Sequence, residues 1–338
     1  MRPQTRPHPR RFPRVPFRAL LALALLAGAC TFGWIKLDAW QRQAIFASAT
    51  GDRPWFRDPP AGTEVFDLDV APGQKVHAWY YKSPNPQAAT VLYLHGARWN
   101  LNGSAFRMTR WTEMGYSVLA IDYRGFGEST PLLPSESTAG ADAAAGLREL
   151  ARRQPDPARR FIYGHSLGGA IAIDLATRKD APPYAGLIVE STFTSISAML
   201  GTLKYGWVPG AGLLVTQPFD SIDKVAALRT PVLFMHGTAD SVIPHTMSDQ
   251  LYAAVRNVAP PLKRLVKIEG ATHSGAVRSG EVYDHAVESF IRAARAAYGT
   301  PRQATQAGPQ AWGTIPAAIP TAKPTPTGGS TPNFPPPA

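Results

Sequence analysis

The chain has very little cysteine, with Cys30 the single example among 338 residues. One thiol excludes an intrachain disulfide and any metal cluster built from cysteines. Histidines and carboxylates at the spacing of metal ligands are also lacking, so we predict no metal site and no cofactor. We find no internal repeat and no nucleic-acid-binding motif.

Acidic residues are scarce at both ends of the chain. Residues 1–18 contain six arginines and five prolines, while residues 300–338 contain ten prolines, two basic residues and no acid. Such compositions predict disorder for both segments. The ends carry +6 and +2 of the net charge of +11, which leaves +3 for residues 19–299. The basic balance therefore does not indicate a nucleic-acid partner.

An uncharged run from Ala19 to Ile35 follows the arginines. Its length is at the lower limit for a membrane-spanning helix. Three interpretations remain open: a retained anchor with Trp34 at the interface, a secretory signal cut after Ala29, or a lipoprotein signal acylated at Cys30. In each, the arginines stay in the cytoplasm. We expect an exported or membrane-anchored protein whose main domain is extracytoplasmic, in the periplasm if the organism is bacterial.

Near-continuous apolar runs alternate with helical stretches between residues 60 and 299. Such runs indicate strands buried on both faces of a parallel sheet, and the alternation indicates a doubly wound α/β fold. An antiparallel hairpin, residues 64–70 and 76–81, is predicted at one edge. The buried strands are predicted at 90–94, 117–121, 161–163, 186–189, 231–235 and 264–268, and the helices at about 103–114, 138–153, 168–178, 246–256 and 281–297.

These features divide the chain into segments. We predict a disordered basic arm (1–18), an anchor or signal (19–35), a connector (36–59), an α/β domain (60–299) and a disordered proline-rich tail (300–338). Residues 194–227, the lid segment, are apolar and too long for a tight turn. They are interpreted either as a small lid over the site or as an ordinary helix and connection packed on the sheet.

Ser166 lies between a predicted strand and a predicted helix, flanked by Gly164 and Gly168. A serine on such a sharp turn exposes its hydroxyl at the edge of the sheet. Ligands of open α/β sheets bind at the carboxyl ends of the strands, and Asp240 and His273 follow two later strands. The chain order serine, acid, histidine is that of a hydrolytic triad on such a sheet.

Each residue has a predicted role in the chemistry. Ser166 attacks a carbonyl carbon, His273 takes and returns its proton, and Asp240 orients the imidazole. The backbone N–H groups of Leu167 and Ala97 are the predicted donors to the oxyanion.

Other titratable residues compete for these roles. His245 is the reserve base, and Glu190 is the reserve acid because it follows the neighbouring strand. His77 and His285 are expected at the surface. The three histidines at strand ends are expected to satisfy loop backbone groups: His95, His165 and His236.

These motifs resemble the α/β-hydrolase superfamily across about residues 60–297. Several segments look like one branch, the membrane-anchored serine hydrolases related to the yeast bud-emergence protein and to eukaryotic protein depalmitoylases: Leu94–Gly96, Asp122–Ser129, Pro134–Glu136, Gly164–Gly169 and Val189–Ile196. The resemblance implies an N-terminal membrane anchor and hydrolysis of esters or thioesters. Many members carry asparagine directly after His-Gly, where this chain has Ala97.

The predicted function is a serine esterase or thioesterase acting through an acyl-serine intermediate. Its expected partners are a small-molecule or acylated, lipid-like substrate and, through the N-terminal segment, a membrane. Two alternatives remain: a serine peptidase or amidase on the same triad, and a catalytically silent protein that uses the fold as a binding module.

Overall fold

One mixed sheet organises the protein, a computed structural model that describes residues 17–48, 53–202 and 210–299. The strands lie in the order β1-β2-β4-β3-β5-β6-β7-β8. Their bounds are β1 Glu64–Ala71, β2 Gln74–Tyr81, β3 Thr90–Leu94, β4 Ser117–Ile121, β5 Arg160–His165, β6 Gly186–Glu190, β7 Val232–Gly237 and β8 Lys263–Ile268. The predicted proline-rich tail and residues 1–16 of the predicted basic arm lie outside the described residues.

The α-helices that the structure describes separate most of these strands. Their bounds are α1 Phe17–Phe46, α2 Leu101–Glu113, α3 Glu136–Arg153, α4 Leu167–Thr177, α5 Ile196–Thr202, α6 Ser221–Val225, α7 Thr246–Ala254 and α8 Glu281–Ala297. β2 pairs antiparallel with β1 and β4, whereas the remaining neighbours are parallel. The predicted α/β-hydrolase fold, with a mostly parallel sheet and an antiparallel edge hairpin, is confirmed.

The central strands are buried on both faces, as their apolar runs predict. Alternate residues of β3 enter two different cores: Leu92 and Leu94 pack on the side of α3 and α4, and Val91 and Tyr93 on the side of α2 and α8. This alternation follows from the two-residue period of a strand. Both faces of the sheet are therefore needed to bury the chain's apolar residues.

The carboxyl ends of the parallel strands meet at one edge of the sheet. Leu94 of β3 is in register with Gly164 of β5, and His165 is in register with Glu190 of β6. The backbone N–H of Ser166 donates to the Glu190 carbonyl oxygen at 2.9 Å. Ser166 therefore lies at the middle of this edge.

Helix α1 runs past the predicted anchor, beyond Ile35, to Phe46 and so occupies part of the segment predicted as a connector. Its apolar part is long enough to cross a membrane, with a mean hydropathy of 1.9 over an 18-residue window whose residues are not buried by the rest of the protein. Phe46, in contrast, is fully buried. The two halves of the helix thus have different surroundings.

The lid segment contains α5, a short 3-10 helix at Ala211–Leu214, and α6. Its residues 203–209 lie outside the described part of the chain. Met199 packs partly against the core, whereas Leu213 and Leu214 are exposed.

Candidate active site

Ser166 occupies a sharp turn between the end of β5 and the start of α4. Its φ of 55° lies in the left-handed region, which residues other than glycine seldom adopt. A Cβ at Gly164 would lie 2.2 Å from the carbonyl oxygen of Gly168, and one at Gly168 would lie 2.1 Å from that of Leu94. Larger residues at either position would therefore separate the strand from the helix and displace the serine hydroxyl.

The structure brings the three predicted triad residues into one chain of contacts. His273 Nε2 lies 3.0 Å from Ser166 Oγ, and His273 Nδ1 lies 2.8 Å from Asp240 Oδ2. Asp240 is in the loop after β7, and His273 is in the loop after β8. Because an ionised carboxylate only accepts hydrogen bonds, Nδ1 carries the proton and Nε2 is available to accept one from the serine.

The side chain of Asp240 is fully buried and has several hydrogen-bond donors around it. The backbone N–H groups of Val242 and Ile243 donate to Oδ1, each at 2.9 Å. Burial by itself would raise the pKa of Asp240, but hydrogen bonds from His236 and His273 outweigh it and hold that pKa well below its usual range. The carboxylate is therefore ionised at neutral pH.

His236 contacts the same carboxylate, a role that the sequence analysis missed. Its Nε2 lies 2.9 Å from Asp240 Oδ2 and 3.1 Å from the carbonyl oxygen of Ile243. Both neighbours are acceptors, so Nε2 carries the proton, while Nδ1 lies 2.6 Å from Ser248 Oγ. The available signal was the four-residue spacing between a histidine near the end of β7 and the acid in the next loop.

His165 supports the loop that carries the candidate base. Its Nε2 lies 3.0 Å from the carbonyl oxygen of His273, and the two rings are 5.0 Å apart. Burial, followed by the nearby positive charge of Arg107 and the ring of His273, lowers the pKa of His165 well below its ordinary value. His165 is therefore neutral at pH 7 and donates one hydrogen bond to the loop backbone.

The predicted oxyanion donors belong to the two segments that flank Ser166. A Cβ at Gly96 would lie 3.2 Å from Ser166 Cβ, so the loop after β3 packs directly against the serine. Ala97 is the next residue of that loop, and Arg98 turns the chain with a φ of 74°. Leu167 is the first residue of α4, where backbone N–H groups have no acceptor within the helix.

The two reserve residues have other partners. Glu190 is fully buried and lies 2.6 Å from Arg107 Nη1 and 2.6 Å from the hydroxyl of Tyr163. His245 Nδ1 faces Lys267 Nζ at 3.3 Å. Neither arrangement points the reserve side chain at the nucleophile, so the geometry favours the acid and base of the predicted triad.

Two further histidines can be compared with their predicted positions. His285 is exposed, as expected. The surface position predicted for His77 was wrong: it is buried, with Nδ1 3.2 Å from Asp67 Oδ1 and Nε2 accepting from Trp79 Nε1 at 3.2 Å. Within residues 17–48, 53–202 and 210–299, no group of three or more His, Cys, Asp or Glu side chains is placed to hold a metal ion.

The chain is similar in sequence to several known proteins. The sequence pattern of the family described as serine aminopeptidase S33 matches residues 85–216. An uncharacterized protein of Mycobacterium tuberculosis is 33% identical over 281 residues, which cover 82% of this chain and 94% of that protein. The α/β hydrolase domain-containing protein WAV2 of Arabidopsis thaliana is 32% identical, covering 64% of this chain and 74% of WAV2.

Two further similarities concern a lipase and an esterase. The lysophosphatidylserine lipase ABHD12 of Xenopus tropicalis is 32% identical over 204 residues, which cover 55% of this chain and 51% of ABHD12. The structure of the Pyrococcus furiosus esterase Pf2001 is similar with a TM-score of 0.55 at 18% identity, covering 72% of this chain and 97% of the esterase. At that identity, the likeness concerns the fold. The chain belongs to the α/β-hydrolase superfamily and has its fold.

Proposed function

We propose that the protein is a serine esterase or thioesterase whose nucleophile, base and acid are Ser166, His273 and Asp240. The observation that supports this most strongly is the unbroken series of contacts from Ser166 Oγ through His273 to Asp240, at 3.0 and 2.8 Å. A serine hydroxyl becomes a useful nucleophile only when a neighbouring base can take its proton, and this geometry provides one.

In the proposed reaction, Ser166 Oγ attacks the acyl carbon while His273 Nε2 takes the hydroxyl proton. The carbonyl oxygen becomes an oxyanion, which the backbone N–H groups of Leu167 and Ala97 stabilise. Collapse of this intermediate breaks the bond to the leaving alcohol or thiol, which receives the proton from His273. Water, deprotonated by the same imidazole, then attacks the acyl-serine and releases the carboxylic acid.

Asp240 and His236 have proposed roles that differ from proton transfer. The Asp240 carboxylate holds the Nδ1–H tautomer of His273 and stabilises the imidazolium formed during attack. The hydrogen bond from His236 Nε2 reaches the same Oδ2 atom of Asp240 and helps to fix the orientation of that carboxylate. His236 is thus a positioning residue, since it acts on the reaction through the acid.

The proposed substrate carries an acyl chain. The sequence resembles hydrolases related to the yeast bud-emergence protein and to protein depalmitoylases, and the relative ABHD12 is named as a lysophosphatidylserine lipase. An apolar helix long enough to cross a membrane precedes the domain. The matched family is described as a serine aminopeptidase, which makes hydrolysis of aminoacyl amides the second candidate activity.

A fluorophosphonate probe tests the nucleophile directly. We expect the folded full-length protein to be labelled on Ser166, and Ser166→Ala to remove both labelling and ester hydrolysis. Ser191→Ala is a matched control, because Ser191 also follows a strand and also has a positive φ, of 50°. No labelling of the folded wild type would support the non-catalytic binding module instead, whereas labelling of Ser166→Ala at the wild-type level would show that another residue is the nucleophile.

A substrate panel separates the candidate activities. The panel consists of p-nitrophenyl esters from acetyl to palmitoyl, palmitoyl-CoA as a thioester, and aminoacyl methylcoumarin amides. Ser166-dependent turnover that increases with acyl length is the expected result. Turnover of the amides with esters and thioesters cleaved only slowly would establish the peptidase in place of the esterase.

We further propose that α1 keeps the protein in a membrane, with the catalytic domain outside the cytoplasm. The support comes from the arginines that precede the apolar run and from the exposed apolar surface of the helix. The expected result is a full-length protein that resists extraction by alkaline carbonate and is cut by protease added to spheroplasts. Recovery in the soluble cytoplasmic fraction would contradict the proposal.

A further inference from the structure

The last nine residues of α1, 38–46, are docked on the catalytic domain beside the lid segment. The carboxamide of Gln41 makes three contacts there. Nε2 donates to the carbonyl oxygen of Leu214 at 2.7 Å, and Oε1 accepts from the backbone N–H of Thr216 at 2.8 Å and from its hydroxyl at 3.2 Å. One turn earlier, Asp38 Oδ1 accepts from Gln217 Nε2 at 2.8 Å. These contacts fix the base of the lid segment to the helix.

The last residue of α1, Phe46, also contacts the loop that holds Ala97. The carbonyl oxygen of Phe46 accepts from the backbone N–H of Arg98 at 2.9 Å. The Phe46 ring is buried, 6.3 Å from the ring of Phe126 and 5.9 Å from that of Phe219. The helix that carries the apolar run Ala19–Ile35 therefore also contacts two segments around the site through direct hydrogen bonds.

The position along α1 indicates where a bilayer would lie. At a rise of about 1.5 Å per residue, Gln41 is about 33 Å along the helix from Ala19. A bilayer has a hydrocarbon core of about 30 Å, flanked by headgroup layers. If the apolar run spans this core, Gln41 lies at the level of the outer headgroups, and its partner Leu214 lies there too.

The apolar side chains at this level are not covered by the protein. Leu213 is 86% exposed, Leu214 is 53% exposed, and Trp40 on the neighbouring helix position is 64% exposed. Tryptophan is enriched at membrane interfaces, where its amphipathic ring fits the headgroup layer. Through the contact between Gln41 and Leu214, the exposed leucines thus adjoin a helix whose own apolar surface is not buried by the rest of the protein.

We propose that Leu213 and Leu214 insert into the outer leaflet of the membrane that holds α1. This proposal rests on the proposed function and deepens it, because the base of the lid segment then contacts lipid directly. The substrate would be a membrane-resident amphiphile whose acyl chain passes from the leaflet to Ser166, while its polar portion stays at the headgroup level. A water-soluble ester would not depend on this contact.

Fluorescence at a single site tests insertion without relying on activity. In a Cys30→Ser background, Leu213→Cys labelled with nitrobenzoxadiazole is reconstituted, as the full chain, into vesicles of phosphatidylcholine and phosphatidylglycerol. The matched control is Val282→Cys, on α8, where the native valine is 56% exposed. We expect a blue-shifted emission, quenched by brominated lipid, for the first protein but not for the second.

Each other result of that experiment contradicts the proposal. Equal, water-like emission from both positions would show that Leu213 stays in solvent. A blue-shifted emission at position 213 that brominated lipid does not quench would show that a protein surface, from a second copy or another partner, covers it instead.

Activity provides the second test. Leu213→Ser with Leu214→Ser should reduce turnover of a long-chain ester in vesicles by about tenfold or more, since apolar contact with the leaflet is lost. Hydrolysis of p-nitrophenyl acetate should stay unchanged. The control pair, Val65→Ser with Val282→Ser, removes side chains of 49% and 56% exposure and should affect neither reaction.

The outcomes separate the two proposals. If the double leucine variant loses activity equally on both esters, the insertion of the leucines is contradicted. The same holds if the control pair loses as much activity on the vesicle substrate. Neither result contradicts the proposed esterase activity. If the wild type hydrolyses neither ester, the proposed function fails, and the fluorescence result still decides whether the leucines enter lipid.

Discussion

Two buried carboxylates lie at neighbouring strand ends of this protein and have different surroundings. Glu190, at the end of β6, is paired with the permanent cation of Arg107 at 2.6 Å. Asp240, after β7, lies between the imidazoles of His236 and His273, at 2.9 and 2.8 Å. Both side chains are fully buried.

The difference shows why burial alone does not identify a reacting acid. The Arg107 guanidinium neutralises Glu190 permanently, so that pair acts as a structural link between α2 and the sheet. An imidazole can gain or lose a proton near neutral pH. In the proposed reaction the Asp240 carboxylate therefore holds the correct tautomer of neutral His273 and stabilises its cation when the proton of Ser166 is transferred. The substitutions below test this contrast.

The largest expected effect comes from Asp240→Asn. Loss of the negative charge permits the wrong tautomer of His273 and removes stabilisation of the imidazolium, so we expect kcat to fall about 10³- to 10⁴-fold. The measurement is steady-state hydrolysis of a p-nitrophenyl ester at pH 7.5. Circular dichroism must show an intact fold, and a loss below tenfold would indicate that Asp240 is not the acid.

Glu190→Gln should give the opposite pattern. Without the carboxylate, Arg107 is left buried and unneutralised, which we expect to lower the free energy of unfolding by about 3–5 kcal/mol. Turnover by the molecules that remain folded should stay within about threefold of wild type, since the side chain does not face the nucleophile.

Urea denaturation together with active-site titration measures these two quantities. The double variant Arg107→Met with Glu190→Gln is the control and should recover part of the stability, because both charges are then absent. If Glu190→Gln lowers kcat per titrated site as much as Asp240→Asn does, the two carboxylates do not differ in their importance for catalysis.

His236→Gln probes the second imidazole on Asp240. We expect kcat/KM to fall about tenfold, because one of the hydrogen bonds that orient the carboxylate is lost or weakened. The loss should fall on kcat with KM unchanged, because His236 acts on the reaction through Asp240 and does not touch the substrate. Ser248→Ala, which removes only the partner of His236, should have a smaller effect. A lower stability with an unchanged kcat per titrated active site would assign His236 a structural role only.

The smallest effect is expected at His165, whose ring lies 5.0 Å from that of His273 and is affected by the charge of Arg107. Burial, Arg107 and His273 lower the pKa of His165 in the folded protein, so below about pH 6.5 the unfolded chain binds its proton more readily. Stability linked to this residue is therefore complete above that pH and is lost as the pH falls. Between pH 7.5 and 5, His165→Gln should lose about 1–2 kcal/mol less stability than wild type.

Thermal or urea unfolding at the two pH values provides the measurement for His165. The exposed His285 supplies the control, because His285→Gln should follow the wild-type pH dependence. If His165→Gln also follows it, the imidazole is equally basic in the folded and unfolded chains, and the account of its surroundings is wrong.

The sheet could be predicted from the sequence because its signals are local. Each central strand is a short apolar run that is buried on both faces, and the turn at Ser166 depends on two glycines within two residues of it. Asp240 and His273 could be proposed because they directly follow strands whose carboxyl ends share one edge. Their distances could not be predicted, since these depend on how two separate loops fold.

The contacts that escaped prediction join segments that are far apart in sequence or need a particular rotamer. Gln41 contacts residues more than 170 positions later, and nothing in its local pattern marks it as an anchor for the lid segment. The burial of His77 depends on its pairing with Asp67 across the hairpin. His236 was close to Asp240 in sequence, but its direction toward the carboxylate required coordinates.

The proposed reaction requires the acyl group of the substrate to become covalently bound to Ser166 Oγ. The most direct measurement is to quench the protein in acid during hydrolysis of a p-nitrophenyl ester and to locate the acyl group by mass spectrometry of its peptides. We expect the mass of the acyl group on the peptide that contains Ser166, and no acyl group in Ser166→Ala. An acyl group on another residue, with Ser166→Ala still fully active, would contradict it.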